Sequence, residues 1–281
     1  MVTTPNIGIM QGRLSKPHKE QIQSFPNQSW KEEFEIASNC GLEIIEWIFD
    51  EIQPKPILSD EGIIEIKQLM EKNNISINTI CADYFMSKKL FSESQSELEK
   101  NIETMKKLII QANKLEISMI EIPLVDSSSL KTDENKNEIT NNLEKILTFA
   151  EKNNVVIVLE TDLSPHDFKE FLIGFNHPSI MANYDSGNSA SLGYNSGEEL
   201  TKLKKWIKNV HVKDRKFQGT TVPFGMGDTN FDLFFSSLSK INYSGDLIIQ
   251  GARYEDKEIT PEKTCKIYQE FIKQNVDKYY N

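Results

Sequence analysis

The sequence predicts a single (β/α)8 barrel, on three observations. Eight short apolar runs rich in Ile and Val alternate with eight longer amphipathic stretches rich in Lys and Glu. No break in composition divides the 281 residues, a length close to the ~250 typical of that barrel. The competing doubly wound sheet carries a glycine-rich phosphate loop after its first strand, and Met10-Gln11-Gly12-Arg13-Leu14 has one glycine. One domain over residues 1–281 is therefore expected.

The strands are expected at 7–10, 43–48, 75–81, 117–122, 155–160, 180–185, 210–214 and 247–250. The helices are expected at 30–39, 61–72, 93–114, 133–152, 164–173, 196–204, 231–239 and 261–273. Gly41 follows the first helix where a left-handed cap belongs. The pairs Asn73-Asn74 and Asn153-Asn154 close two helices just ahead of a strand, and Asn tolerates the left-handed conformation. Ser164-Pro165 and Thr260-Pro261 read as an N-cap followed by an N1 proline. In the helix at 93–114, Leu98, Ile102, Met105, Leu108, Ile109 and Ala112 recur every three or four residues as a core-facing stripe. Trp30, Trp47 and Trp206 are read as packing residues, Trp47 standing beside Glu46 and so close to the barrel mouth.

With 38% hydrophobic and 26% charged residues, the chain is neither a disordered tail nor a fibre. Its net charge of −10 repels phosphate backbones, so no nucleic-acid partner is expected. No apolar run approaches the ~20 residues of a membrane span, and residues 1–12 lack the marks of a signal peptide. Cys40, Cys81 and Cys265 are odd in number and far apart, which fits reduced thiols in a cytoplasmic protein.

Active sites of such barrels lie at the C-terminal ends of the strands. The polar residues there are Gln11 and Arg13 after the first strand, Glu46 in the second, Cys81 and Asp83 after the third, and Glu121 in the fourth. Glu160, Asp185, His211 and Gln250 mark the remaining four. The period of two puts His211 and Lys213 on the inward face while Val210 and Val212 face the helices, and it puts Asn183 and Asp185 on one face. A carboxylate buried near the axis is costly unless paired or bound to a cation. Glu160, Asp185 and His211, with the amide of Gln250, therefore make a divalent-metal shell. Each alone is more often a structural group; four in successive strands shift the balance. His18, His166 and His177 fall in loops or helix starts and are read as surface residues. The pairs Lys106-Lys107 and Lys204-Lys205 are read as solvated helix faces.

The stretches Gly8-Ile9-Met10-Gln11-Gly12-Arg13-Leu14, Gln23-Ser24-Phe25-Pro26, Ile45-Glu46-Trp47, Leu159-Glu160-Thr161, Tyr184-Asp185-Ser186-Gly187-Asn188, His211-Val212-Lys213-Asp214-Arg215 and Ile249-Gln250-Gly251-Ala252-Arg253 together resemble the sugar-phosphate isomerase/epimerase group of the xylose-isomerase-like TIM-barrel superfamily. The likeness covers nearly the whole chain, and it rests on the order of these short motifs. It implies a divalent metal (Mn, Mg, Co or Zn) held by Glu, Asp, His and Glu on strands five to eight. Glu160, Asp185 and His211 occupy the first three places; the fourth holds Gln250, a departure. In ketose epimerases of the superfamily the two glutamates exchange the substrate proton on opposite faces, and a glutamine cannot do so. A homodimer is also implied.

The expected reaction is proton abstraction beside the carbonyl of a small sugar or sugar phosphate, through an enediolate, with Glu160 and His211 in catalytic roles. Arg13, Lys213, Arg215 and Arg253 suit an anionic substrate. Glu46, Asp83, Glu121 and Asn183 complete the expected substrate contacts, and the first three are candidates for a second acid or base. One base suffices for a 1,2-proton shift, whereas inversion needs two. A dehydratase or lyase and a non-catalytic sugar-binding barrel are the alternatives. A three-metal nuclease on the same barrel would need more well-placed histidines than His211 alone. The segment 216–230, with Gly219, Pro223, Gly225 and Gly227, reads either as a cover for substrate or as a plain connection.

Overall fold

The computed structural model describes residues 3–17, 21–256 and 258–280. Eight parallel strands close into a barrel: β1 (Asn6–Met10), β2 (Ile44–Ile48), β3 (Thr79–Cys81), β4 (Met119–Leu124), β5 (Val156–Thr161), β6 (Ile180–Asp185), β7 (Ile207–Val212) and β10 (Asp246–Ile249). Their order around the barrel is β1-β10-β7-β6-β5-β4-β3-β2, so β10 pairs with β1 and no edge is left open. Between β7 and β10 a small antiparallel hairpin, β8 (Asp214–Arg215) with β9 (Thr221–Val222), stands outside the barrel.

The helices are α1 (Glu32–Asn39), α2 (Asp60–Asn73), α3 (Tyr84–Ser87), α4 (Gln95–Lys114), α5 (Asp133–Lys152), α6 (Pro165–Phe175), α7 (Ser186–Leu192), α8 (Ser196–Leu203), α9 (Phe231–Lys240) and α10 (Pro261–Tyr280). Their ends follow the local chemistry. Ser164 Oγ accepts from Asp167 N ahead of Pro165, and Thr260 Oγ1 accepts from Lys263 N ahead of Pro261. Gly41, Asn74 and Asn154 take positive φ, as the caps require. The α4 stripe packs inward, with Leu98, Met105, Leu108, Ile109 and Ala112 buried and Ile102 partly so. Trp47 turns away from the mouth and packs between Phe25 and Trp30, with ring centroids 5.4 and 5.5 Å away. Lower in the barrel, a Cβ on Gly8 would lie 2.8 Å from the side chains of both Ile44 and Ile248, so only glycine lets these two meet. All three cysteines are free and buried, and no described helix is long and apolar enough to cross a membrane.

Three features differ from the pattern of apolar runs. The third strand pairs only over Thr79–Cys81; upstream of it Ser76 makes a single bridge to Ile44, although Ile75 and Ile77 are buried. The short helices α3 and α7 are additional, and they begin directly after Asp83 and Asp185. The seventh strand starts three residues early and ends at Val212. Asp214 leaves the barrel because its buried carboxylate accepts Gly225 N (2.8 Å), Gly227 N (2.8 Å) and Thr229 N (3.1 Å). This folds the segment 216–230 into an ordered turn, and Thr220 and Thr221 reach the mouth.

The segment after β1 crosses the mouth and is clamped by two arginines and a glutamate. Arg253 donates to the carbonyls of Gly12, Ser15 and Ile22, and Arg13 donates to the carbonyl of Ile22. The Glu33 carboxylate accepts Gly12 N (2.8 Å) and Ser15 Oγ (2.6 Å). Burial pushes the Glu33 carboxyl up to about 7 against these hydrogen bonds.

Two outcomes follow. Asp214→Ala leaves buried amide donors unmet and should lower the unfolding free energy by about 2–4 kcal/mol in urea titration; an unchanged midpoint contradicts this. Glu33 should also make stability depend on pH. Its folded value lies above the ordinary 4.5, so its contribution is complete below pH 4.5 and is lost as pH rises through about 7. Denaturation at pH 4.5 and pH 8 should show this slope in the wild type and lose it in Glu33→Gln.

Candidate active site

The C-terminal ends of the strands bring an imidazole and several carboxylates to the barrel axis. His211 on β7 is fully buried. Its Nε2 lies 2.9 Å from Glu46 Oε1 on β2, and its Nδ1 lies 3.1 Å from Glu160 Oε2 on β5 and 3.9 Å from Asp185 Oδ2 on β6. A carboxylate only accepts, so Nε2 carries hydrogen toward Glu46 and Nδ1 is the atom turned to Glu160 and Asp185. Burial alone would lower the His211 value, but the carboxylates of Glu46, Glu160 and Glu121 overturn that and hold it well above the usual range.

Asparagines hold the acids in place. Asn183 Nδ2 donates to Glu160 Oε2 (2.6 Å), and Asn188 Nδ2 donates to Glu160 Oε1 (2.6 Å). Asn209 Nδ2 donates to Glu46 Oε2 (2.9 Å). Asp185 is the N-cap of α7: its Oδ1 accepts Asn188 N (2.8 Å), which leaves Oδ2 facing the site, 3.1 Å from Lys213 Nζ. Glu121 is buried, and its Oε2 has no hydrogen-bond partner. Burial first, then the neighbouring Glu160, pushes its carboxyl well above the ordinary range.

Above this floor opens a cavity of about 590 Å³, whose walls include Asp83, Glu121, Glu160, Lys213, Arg215 and Gln250. Gln250 Nε2 donates to Gln23 Oε1 (2.8 Å), while its buried Oε1 has no partner. These observations fit a divalent cation. One oxygen or nitrogen from each of Glu160, Asp185 and His211 lies within 4.8 Å of the others. The two carboxylates balance a 2+ charge, and Gln250 offers a spare neutral oxygen on the same cavity.

The structure thus brings Glu160, Asp185 and His211 together and places Asp83, Glu121, Lys213, Arg215 and Gln250 on the cavity wall. Four of the expected substrate contacts already have protein partners. Glu46 lies beneath the imidazole, both its oxygens hydrogen-bonded. Asn183 lies behind Glu160, with its amide donated there. Arg13 reaches the cavity but spends its hydrogen bonds on the Ile22 carbonyl and Gln23, and burial with Arg253 alongside brings it down to about 10. Arg253 does not line the cavity and clamps backbone carbonyls instead. His166 is exposed and His177 half-buried, both away from the site, and His18 lies outside the described residues. Asn188, Asn209 and Gln23 were not among the expected site residues. Asn209 shares the His211 face but precedes the expected start of its strand at 210, and Gln23 comes from an aperiodic loop, so alternation pointed to neither.

Residues 34–274 match the family of xylose isomerase-like TIM barrels, and the chain belongs to that family. It is 28% identical over 254 residues to the SgbU protein of Haemophilus influenzae, covering 84% of this chain and 89% of that one; SgbU is named, provisionally, an L-ribulose-5-phosphate 3-epimerase. Among solved structures it is similar to the IOLI protein with a bound zinc atom (TM-score 0.79, 18% identity, 98% of this chain and 99% of that one). It is also similar to D-psicose 3-epimerase from Clostridium cellulolyticum H10 with D-tagatose (TM-score 0.76, 14% identity, 96% and 99%).

Calorimetric titration with Mn²⁺ checks the donor set. Asp185→Asn should weaken binding by about 10-fold or more, and Gln250→Glu should tighten it. Equal affinities in all three proteins would place the ion elsewhere.

Proposed function

We propose that this chain is a divalent-metal-dependent epimerase of a small ketose phosphate, acting by proton abstraction from the carbon beside the carbonyl. The carrying observation is Glu160: a carboxylate with each oxygen fixed by an amide, on the cavity wall and 3.1 Å from His211. It serves as the base. The name of the Haemophilus relative supports a ketose phosphate, and the zinc of the IOLI protein supports a metal.

Glu160, Asp185 and His211 would hold the metal, with Gln250 as a neutral fourth donor. When bound, it supplies Lewis-acid stabilisation of the oxyanion that forms as the proton leaves. Glu46 acts through His211, keeping the ring oriented and Nδ1 facing the site. Asn183 and Asn188 keep Glu160 aimed. Lys213, which meets Asp185, and Arg215, which donates to Asn188 and to the Gly219 carbonyl, stand on the same cavity as Thr220 and Thr221 and form its cationic side toward a phosphate. Asp50, Glu51 and Asp126 on the other side disfavour one there.

The test is solvent exchange. In D₂O with Mn²⁺, the protein should incorporate deuterium into L-ribulose 5-phosphate beside the carbonyl and form its C3 epimer, and Glu160→Gln should slow this by about 100-fold or more. No exchange into any ketose or ketose phosphate, with or without Mn²⁺, would instead favour a sugar-binding barrel.

A further inference from the structure

Inversion needs a second proton carrier, and Gln250 cannot be it. Three other carboxyl groups stand near the mouth. Glu46 is sealed beneath His211, with both oxygens engaged. Glu121 is buried on β4, the strand paired directly with β5, and so shares the wall of Glu160. Asp83 differs from both. It follows β3, with β4 between it and Glu160, and its half-buried side chain lines the cavity. A sugar lying across the mouth would meet Glu160 and Asp83 from different walls.

A hydrogen-bonded relay links Asp83 to the position where the resemblance calls for a glutamate. Gln23 Oε1 accepts from Gln250 Nε2 (2.8 Å) and from Arg13 Nη2 (3.1 Å). With its oxygen taken by two donors, Gln23 turns its own Nε2 to Asp83 Oδ2 (2.8 Å). Cys81 Sγ lies 3.4 Å from Asp83 Oδ1. With Gln23 in this orientation, the amide at 250 supplies a donor to its oxygen, which a carboxylate there could not do.

We propose that Asp83 is the second proton-exchanging group of the site, taking over from the missing glutamate through the Gln250–Gln23–Asp83 relay; this rests on the epimerase reading above. The Glu160 carboxylate takes the proton beside the carbonyl, the C–H pair becomes the C=C bond of the enediolate, and the carbonyl π pair moves to oxygen. The Asp83 carboxylic acid then gives its proton to the other face, and the carbonyl re-forms. Asp83 is left ionised and Glu160 protonated, and exchange with water resets both. Withdrawal from water raises the Asp83 carboxyl above its ordinary range against the hydrogen bonds from Gln23 and Cys81, which favours the proton-loaded form.

The experiment follows deuterium by NMR in the full chain with Mn²⁺, starting separately from L-ribulose 5-phosphate and from its C3 epimer. Asp83→Asn should slow net epimerisation by about 100-fold or more while one of the two sugars still exchanges its C3 proton within about tenfold of the wild-type rate. Asp83→Ser is a second variant read in the same way, and equal thermal midpoints show that the fold is kept. Epimerisation within about threefold of wild type, or loss of exchange from both sugars alike, would overturn the assignment. Silence of the wild type on both sugars would instead remove the epimerase reading, a failure visible before any variant is made.

Discussion

The site depends on how His211 is held. One buried imidazole touches Glu46 on one side and Glu160 on the other, with Asp185 close to the same nitrogen as Glu160. At the barrel axis Glu46, Glu160 and Asp185 carry more negative charge than one imidazole and the Lys213 ammonium balance, and Glu121 beside them is held toward its neutral form. Low dielectric makes that excess expensive. A cation held where Nδ1, Glu160 and Asp185 meet would relieve it. The asparagines at 183, 188 and 209 matter for the same reason, because each donates to a buried carboxylate oxygen of Glu160 or Glu46.

The fold was largely legible because a barrel repeats one unit. Alternating apolar runs and amphipathic stretches, with Gly41, Asn74 and Asn154 at helix ends, place the elements to within a few residues over most of the chain. What failed was local. Ile75 and Ile77 read as strand residues because they are apolar, and they are buried, yet burial does not guarantee pairing, and β3 is short. The seventh strand was misplaced because Asp214 reads as its polar end, while its carboxylate gathers three amides of the following turn and pulls it out of the barrel.

The site was legible where strand alternation applies and illegible where it does not. Glu160, Asp185 and His211 sit at strand ends, and period-two geometry aims them inward. Charge in a sequence does not reveal its partner: Arg13 and Arg253 donate to backbone carbonyls of the segment after β1. That segment in turn carries Gln23 to the cavity, an arrangement with no periodic signature. Gln250, read as a departure from a ligand set, is also one end of a hydrogen-bonded chain that reaches Asp83.

The most direct measurement is anomalous scattering from a crystal of the protein soaked in Mn²⁺. One strong peak is expected about 2.0–2.4 Å from Glu160, from Asp185 Oδ2 and from His211 Nδ1. A crystal without a peak there, or with the ion bound away from these three atoms, would contradict it.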